Sequence, residues 1–226
     1  MNLKDKVVVI TGASKGLGKA LAGILHNEKA KVIINARSRE ELAAARRETG
    51  AVTFLGDVTK ENDIKKLAKF AVKKYGKIDI WINNAGIVLP HKEIEEIDPK
   101  LAHRVFEVNF FGTFYGSREA MKVMKTQKHG IIVNIISVSS LTGRALSSIY
   151  ASSKWAVRGF TESLRLALEP KNISVLAVHP AGFKTTIFGK FKPKGYDQWM
   201  EVSYVAKKIV QNLKREKPKV ELIVEK

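Results

Sequence analysis

The strongest constraint on the fold is an apolar run that leads directly into a glycine-rich turn and then into a helical pattern. The β-branched run 7–10 is typical of a strand that is covered on both faces in a parallel sheet. Gly12, Gly16 and Gly18 follow it, and apolar residues recur at helical spacing from Leu17 onwards. At such a turn, backbone N–H groups and the helix N-terminus can bind a phosphate. A tight turn without a ligand is the alternative.

Alternation of strands and helices continues along the rest of the chain. Apolar runs predict six further strands, at residues 31–37, 51–56, 78–82, 131–136, 174–178 and 220–224. Helical patterns lie between most of these runs, and the connections are short. This order is typical of an α/β fold, a doubly wound parallel sheet of the Rossmann type with about seven strands and helices on both faces. The length of 226 residues is that of one domain, residues 1–226.

Composition excludes several classes of protein. The hydrophobic share of 45% and the charged share of 27% are typical of a soluble globular protein. The sequence contains no long apolar run that could span a membrane, and its first residues do not resemble a signal peptide, so we expect a cytoplasmic location. The absence of cysteine excludes disulfides and thiolate metal sites. The five histidines lack ligand spacing, so we expect no metal site.

The formal net charge of +18 favours an anionic partner. The basic residues are spread along the chain, however, and no zinc finger, helix-turn-helix or aromatic RNA-binding motif accompanies them. We therefore do not expect specific binding of nucleic acid. A general anion-attracting surface, which favours phosphorylated ligands, is the preferred interpretation.

The end of the second strand predicts which dinucleotide is bound. In a dinucleotide-binding fold this position lies beside the adenosine ribose, where an acidic residue binds the 2′-hydroxyl. Here Ala36 and Arg37 occupy the position, and Lys15 of the glycine turn is expected on the same side. No carboxylate is expected there to repel a 2′-phosphate, and a guanidinium can bind one through two hydrogen bonds. The sequence predicts NADP(H) rather than NAD(H), although an exposed arginine that only opens the next helix is the alternative.

Tyr150 and Lys154 are the candidate pair for proton transfer. They are four residues apart in a helical pattern, so their side chains share one face of the helix. A phenol titrates near pH 10 in water, and a neighbouring cation lowers its pKa. Ser137, at the end of the fifth strand, could then hold a substrate oxygen while Tyr150 passes it a proton. An amphipathic helix with a solvated lysine is the alternative.

Together these features resemble the short-chain dehydrogenase/reductase family over essentially the whole chain. The matching residues are Thr11, Gly12, Gly16, Gly18, Asp57, Asn83, Asn84, Ala85, Gly86, Asn109, Ser137, Tyr150, Lys154, Pro180 and Thr185. The resemblance implies a catalytic tetrad of Asn109, Ser137, Tyr150 and Lys154. In it, Tyr150 is the general acid or base, Ser137 orients the carbonyl and Lys154 lowers the pKa of Tyr150. Asn109 supports a water-linked proton path to Lys154.

The same resemblance implies a set of cofactor contacts. The set comprises Gly12, Ser14, Lys15, Gly16, Leu17, Gly18, Arg37, Asp57, Val58, Asn83, Ala85, Gly86, Tyr150, Lys154, Pro180 and Thr185. Asp57 and Val58 are expected near the adenine, Asn83 near the inner ribose and Thr185 near the carboxamide. Lys15 and Arg37 resemble the branch of the family that prefers NADPH.

Two departures from the family pattern lie after the sixth strand. The usual Pro-Gly is Pro180-Ala181-Gly182 here, and the segment 186–218 is shorter than in most members of the family. Aromatic residues in this segment predict a short substrate lid at about 186–200. Packing of these aromatic residues against the C-terminal edge of the sheet is the alternative.

The sequence therefore predicts an enzyme that transfers a hydride between NADP(H) and a small-molecule carbonyl or secondary alcohol. A 3-oxoacyl carrier-protein reductase is an alternative, because a basic surface suits an acidic carrier. A dinucleotide- or nucleic-acid-binding protein without catalytic activity is the other. By resemblance to the family, a homodimer or homotetramer is expected through the helices at about 99–125 and 149–168.

Overall fold

A single parallel sheet organises the computed structural model of this protein, which describes residues 1–189, 191–193 and 195–226. Within these residues the seven strands are β1 Val7–Thr11, β2 Lys31–Ala36, β3 Val52–Leu55, β4 Ile80–Asn83, β5 Gly130–Ile135, β6 Ile173–Pro180 and β7 Glu221–Val224. Their order in the sheet is β3-β2-β1-β4-β5-β6-β7, and every neighbouring pair is parallel. The predicted doubly wound fold is confirmed.

Helices cover both faces of the sheet. They are α1 Gly16–Asn27, α2 Arg39–Thr49, α3 Glu61–Tyr75, α4 Pro99–Phe106, α5 Gly112–Gln127, α6 Ser148–Leu168 and α7 Val202–Lys214. Successive strand side chains point to opposite faces, so the strands contribute to two separate cores. Val8 and Ile10 belong to the core under α1 and α7, whereas Val9 belongs to the core under α3 and α5. Burial on both faces explains why the strands are almost continuously apolar.

The helix predicted from residue 99 to residue 125 contains a break in its regular geometry. Pro99 begins α4, and the Asp98 side chain accepts a hydrogen bond from Lys100 N, as a helix cap does. Between α4 and α5, residues Glu107–Phe111 form a π-helical turn. Such turns often occur at functional sites. Asn109 lies within this turn and is fully buried.

Two negative findings concern the described ranges only. None of their helices combines the length and the apolar character that crossing a bilayer requires. In the same ranges, no three histidine, aspartate or glutamate side chains are grouped so that they could hold a metal ion.

Candidate active site

The glycine turn lies where β1 meets the end of β4. Gly12 has φ +61°, and a Cβ atom there would lie 2.6 Å from Ala85 Cα. Only glycine permits both this backbone conformation and this close approach. The Asn84 side chain joins the two segments, because its Nδ2 donates to Thr11 O at 3.0 Å and to Gly12 O at 2.9 Å. These hydrogen bonds fix the position of the glycine turn at the carboxyl edge of the sheet.

A cavity of about 910 Å³ follows this edge. Most of the predicted site residues line it: Gly12, Ser14, Lys15, Gly16, Leu17, Arg37, Asp57, Val58, Ala85, Gly86, Ser137, Tyr150, Lys154, Pro180 and Thr185. Three do not, namely Gly18, Asn83 and Asn109. Gly18 packs α1 closely against the turn, since a Cβ atom there would lie 2.7 Å from Ala13 Cα.

The structure corrects the expected position of Asn83, which lies beneath the cavity rather than in it. Its Nδ2 donates to Ser117 Oγ at 2.9 Å and to Asn134 Oδ1 at 2.8 Å. Its Oδ1 accepts a hydrogen bond from Trp81 Nε1 at 2.8 Å. Residues 81 and 83 share one face of β4, the face covered by α5, so the amide points away from the cavity. The side chain therefore links structural elements, and both of its N–H groups are already donated to them.

Asn109 also acts through the backbone around the cavity. Its Oδ1 accepts a hydrogen bond from Ile87 N at 2.8 Å, and its Nδ2 donates to Ile87 O at 3.0 Å and to Ser153 Oγ at 3.0 Å. Ser153 in turn donates to Tyr150 O at 2.7 Å. The π-helical turn is therefore tied to the loop after β4 and to the first turns of α6. Ser153 was not predicted from the sequence, where its only signal is a small hydroxyl residue beside Lys154.

Ser137, Tyr150 and Lys154 converge at the middle of the cavity. Lys154 is only 5% exposed, and its Nζ donates to Ile135 O at 3.1 Å. The same Nζ lies 5.8 Å from the centre of the Tyr150 ring. Ser137 Oγ accepts a hydrogen bond from Ser139 N at 3.1 Å, which leaves its O–H free to donate. A phenol, a hydroxyl donor and an ammonium thus meet at one place.

The pKa of Tyr150 in this structure is set by burial and by Ser137, and the lowering of that pKa by Lys154 stays a prediction. Burial raises the pKa of Tyr150 above that of a free phenol, and hydrogen bonding with Ser137 opposes this rise only in part. The Lys154 ammonium is directed to a backbone carbonyl of β5, and burial lowers the pKa of Lys154 to about 8. Tyr150 consequently keeps its proton at neutral pH, which suits a proton donor better than a base.

A buried chain of polar groups behind Ser137 was not foreseen from the sequence. His179 is fully buried in β6, with its Nδ1 3.0 Å from Ser140 Oγ and its Nε2 2.7 Å from Glu221 Oε2. Ser140 Oγ also lies 2.7 Å from Ser137 O. Because a carboxylate only accepts hydrogen bonds, the histidine proton on Nε2 faces Glu221. These hydrogen-bonded groups link the edge strand β7 to the backbone that carries Ser137, and no local sequence pattern predicts this arrangement.

The end of the cavity lined by Lys15 and Arg37, where adenosine is expected and which is called the adenosine end below, also contains the carboxylate of Glu41, which was not predicted from the sequence. Glu41 Oε1 lies 3.0 Å from Lys15 Nζ, and Glu41 Oε2 accepts a hydrogen bond from Ser14 Oγ at 2.8 Å. The hydrogen bond from Lys15, and then that from Ser14, lowers the pKa of Glu41. Glu41 belongs to the first turn of α2, where Ser38 accepts a hydrogen bond from Glu41 N. The expectation that no carboxylate lies there considered only the end of β2, whereas Glu41 comes from the next helix, α2.

Asp57 lines the same end, but its carboxylate accepts hydrogen bonds within its own turn. Asp57 Oδ1 accepts hydrogen bonds from Thr59 N at 3.0 Å and from Thr59 Oγ1 at 2.9 Å. Arg104 lies 3.5 Å from the other oxygen. Burial acts to raise the pKa of Asp57, but these partners outweigh it and the pKa is lowered. Asp57 therefore stays ionised and holds the backbone beside Val58 in place.

The segment after β6 both packs against the sheet edge and walls the cavity. Tyr196 Oη accepts a hydrogen bond from Thr185 N at 2.9 Å and donates to Thr185 O at 3.1 Å. Trp199 covers Gly182, where a Cβ atom would lie 2.6 Å from the indole ring. Phe188 and Trp199 are in edge contact, and both line the cavity. Movement of this segment as a lid stays a prediction, and its residues 190 and 194 lie outside the described residues.

Relatives of this chain are found both among protein sequences and among solved structures. A family model described as short chain dehydrogenase matches residues 6–195. The uncharacterized oxidoreductase YxnA of Bacillus subtilis is 37% identical over 191 residues, which cover 81% of this chain and 53% of that protein. The chain thus spans about half the length of this relative.

Two solved structures share the fold closely. One is a 3-ketoacyl-(acyl-carrier-protein) reductase from Brucella melitensis complexed with NADH. Its TM-score is 0.91 at 26% sequence identity, and the match covers 98% of this chain and 97% of that one. The other is a short chain dehydrogenase from Burkholderia cenocepacia in complex with NADP. Its TM-score is 0.87 at 26% identity, and the match covers 100% of this chain and 90% of that one.

Burial of Lys154 predicts that replacing it stabilises the protein. The unfolded chain keeps this lysine protonated to about pH 10.5, whereas the folded chain releases the proton at about pH 8. Below pH 8 the folded protein therefore carries a buried charge on Lys154 that lowers its free energy of unfolding. The wild type regains this stability as the pH rises from about 8 to about 10.5, where folded Lys154 is neutral. Lys154→Met should raise the free energy of unfolding at pH 7 by about 2 kcal/mol, after allowance for the lost hydrogen bond to Ile135.

Urea unfolding of Lys154→Met and wild type at pH 7, 8, 9 and 10 measures this effect. The difference in the free energy of unfolding should narrow steadily above pH 8. Lys66→Met, an exposed position on α3, is the control and should show no such trend. A Lys154→Met protein that is less stable than wild type by the same amount at every pH would contradict the prediction.

Proposed function

The chain belongs to the short-chain dehydrogenase/reductase family, and we propose on that premise that it transfers a hydride between NADP(H) and a carbonyl or secondary alcohol. The observation that carries the proposal is the convergence of Ser137, Tyr150 and Lys154 on the cavity that begins at the glycine turn. The substrate is a small molecule. We take reduction as the working direction, in which Tyr150 is the proton donor.

The shape of the glycine turn fits a dinucleotide. A Cβ atom at Gly12 would meet the backbone of Ala85, and one at Gly16 would lie 2.8 Å from Thr185 Oγ1, so bare backbone faces the cavity at both positions. The N-terminus of α1 begins there and favours a pyrophosphate. Arg37 and Lys15 supply positive charge at the adenosine end. When bound, the nicotinamide supplies or accepts the hydride.

The proton-transfer chemistry belongs to the chain itself. In reduction, Tyr150 Oη donates its proton to the carbonyl oxygen of the substrate, and the Ser137 hydroxyl donates a hydrogen bond to the same oxygen. The Lys154 ammonium then lies beside the phenolate that remains and stabilises its charge. Positioned acid–base groups of this kind typically accelerate a reaction by about 10²- to 10⁴-fold. Asn109 and Ser153 keep the backbone of Tyr150 in register with the loop after β4.

A carrier-protein-linked 3-oxoacyl substrate is the second candidate. The net charge of +18 would attract an acidic carrier, and the Brucella melitensis reductase shares the fold. Rates with 3-oxoacyl thioesters on the carrier, compared with rates on free ketones and aldehydes, distinguish the two candidates. A much higher rate on the carrier-linked substrate would favour the second.

Tyr150→Phe tests the mechanism. Removing the hydroxyl removes the proton donor, so NADPH consumption should fall by about 10²- to 10⁴-fold. Binding of adenosine 2′,5′-bisphosphate, measured by calorimetry, should stay unchanged because the variant keeps the ring. Tyr115→Phe, a partly buried tyrosine on α5 outside the cavity, is the control and should keep the wild-type rate. If Tyr150→Phe keeps the wild-type rate, the proposed mechanism is wrong.

Arg37→Asp tests the cofactor preference. The variant loses a charge-assisted donor to the 2′-phosphate and gains a repelling carboxylate. The ratio of kcat/KM for NADPH to that for NADH should therefore fall at least about tenfold. Arg39→Asp makes the same charge change at an exposed neighbour that does not line the cavity. An equal fall in both variants would assign the effect to net charge rather than to Arg37.

Family membership also supports a homodimer or homotetramer through the segments at about 99–125 and 149–168, which contain α4, the π-helical turn, α5 and α6. Several large apolar side chains on α4, α6 and the π-helical turn are exposed, namely Leu101 (49%), Phe111 (44%), Trp155 (45%) and Leu166 (72%).

Trp155→Glu should reduce the mass measured by light scattering to that of one chain, 25.2 kDa. Leu55→Glu, equally exposed (45%) but on β3, should leave the mass of the oligomer unchanged. A single-chain mass for the wild type would reject the proposal.

A further inference from the structure

Apart from Asp57, whose carboxylate is bonded within its own turn, the adenosine end of the cavity has three charged side chains of mixed sign. Lys15 and Arg37 are positive, and Glu41 is negative. Glu41 accepts hydrogen bonds from both Lys15 Nζ and Ser14 Oγ, the donors that the glycine turn offers on this side. The interaction with Lys15 lowers the pKa of Glu41, so the side chain is a carboxylate at neutral pH. The Glu41 carboxylate thus occupies the position beside Lys15 and Ser14 that would suit an anionic group of a ligand.

We propose that Glu41 is a specificity-determining residue that competes with the 2′-phosphate of NADP(H) for Lys15 and Ser14. The inference rests on the proposed function and deepens it. A 2′-phosphate that approaches these donors has to displace the Glu41 carboxylate, and the displaced carboxylate repels it. The 2′-hydroxyl of NAD(H), by contrast, can donate a hydrogen bond to that carboxylate. Glu41 therefore weakens the preference for NADP(H) that Arg37 and Lys15 establish.

Exposure sets the size of the effect. The side chains of Lys15 and Glu41 are 56% and 43% exposed, so solvent screens their attraction and the pair can open. Glu41 consequently tunes the affinity rather than blocking the site. Removing its charge should strengthen binding of a 2′-phosphorylated nucleotide by about twofold to fivefold, within the range expected for one exposed ion pair.

Nucleotide binding by Glu41→Gln tests the proposal without any turnover. Adenosine 2′,5′-bisphosphate and adenosine 5′-monophosphate are titrated by calorimetry at one fixed ionic strength. Glu41→Gln should bind the 2′,5′-bisphosphate about twofold to fivefold more tightly than wild type and the monophosphate no more tightly. The matched control is Glu40→Gln, which removes the same charge from the same first turn of α2 at an exposed position outside the cavity.

The double variant Lys15→Met/Glu41→Gln identifies the contested group. Compared with Lys15→Met alone, it should gain less affinity for the 2′,5′-bisphosphate than Glu41→Gln gains over wild type, because Lys15 is no longer there to be released. Equal gains in Glu41→Gln and Glu40→Gln, or no gain in either, would overturn the inference while leaving the proposed function intact. A wild type that binds neither nucleotide would overturn the proposed function itself, and the inference with it.

Discussion

The buried ammonium of Lys154 is the group on which the geometry of the site depends. Its Nζ is bonded to a carbonyl at the end of β5, and its helix also carries Tyr150. A Cβ atom at Gly86 would lie 3.7 Å from the same Nζ and 3.4 Å from Asn109 Oδ1. β5, the loop after β4 and α6 thus meet around one charge. A strained or costly group that the surrounding structure keeps in place is typical of functional sites.

A second set of buried polar groups keeps that surrounding structure in register. Asn83 on β4 bonds to Asn134 on β5, and Asn134 Nδ2 donates to Thr161 Oγ1 on α6 at 2.9 Å. Ser117 on α5 is bonded to the same Asn83. Because their paired amide and hydroxyl groups are out of water, sliding of a helix along the sheet would leave donors and acceptors unpaired. The network specifies where α5 and α6 lie, and therefore where Tyr150 and Lys154 point.

Much of the fold could be predicted from the sequence, because each strand is a local apolar run and parallel order follows from the helices between them. The glycine turn and the convergence of Ser137, Tyr150 and Lys154 follow from the same topology. The direction of the Asn83 side chain could not be predicted from the sequence, since it depends on which face of β4 is covered by α5. Glu41 was missed because it enters the site from another element, and the pKa of Tyr150 because burial is not visible in a spacing of four residues.

Different physics governs the two ends of the cavity. At the catalytic end the ammonium is buried and the hydroxyl lies among packed elements, so small displacements change their pKa values and hydrogen bonds strongly. At the adenosine end, Lys15 and Glu41 are largely in solvent, where a change of partner alters little else. Substitutions at the first end therefore disturb both packing and chemistry. Under the proposed function, those at the second end are expected to change mainly the affinity for one phosphate, so that cofactor preference is the more easily altered property.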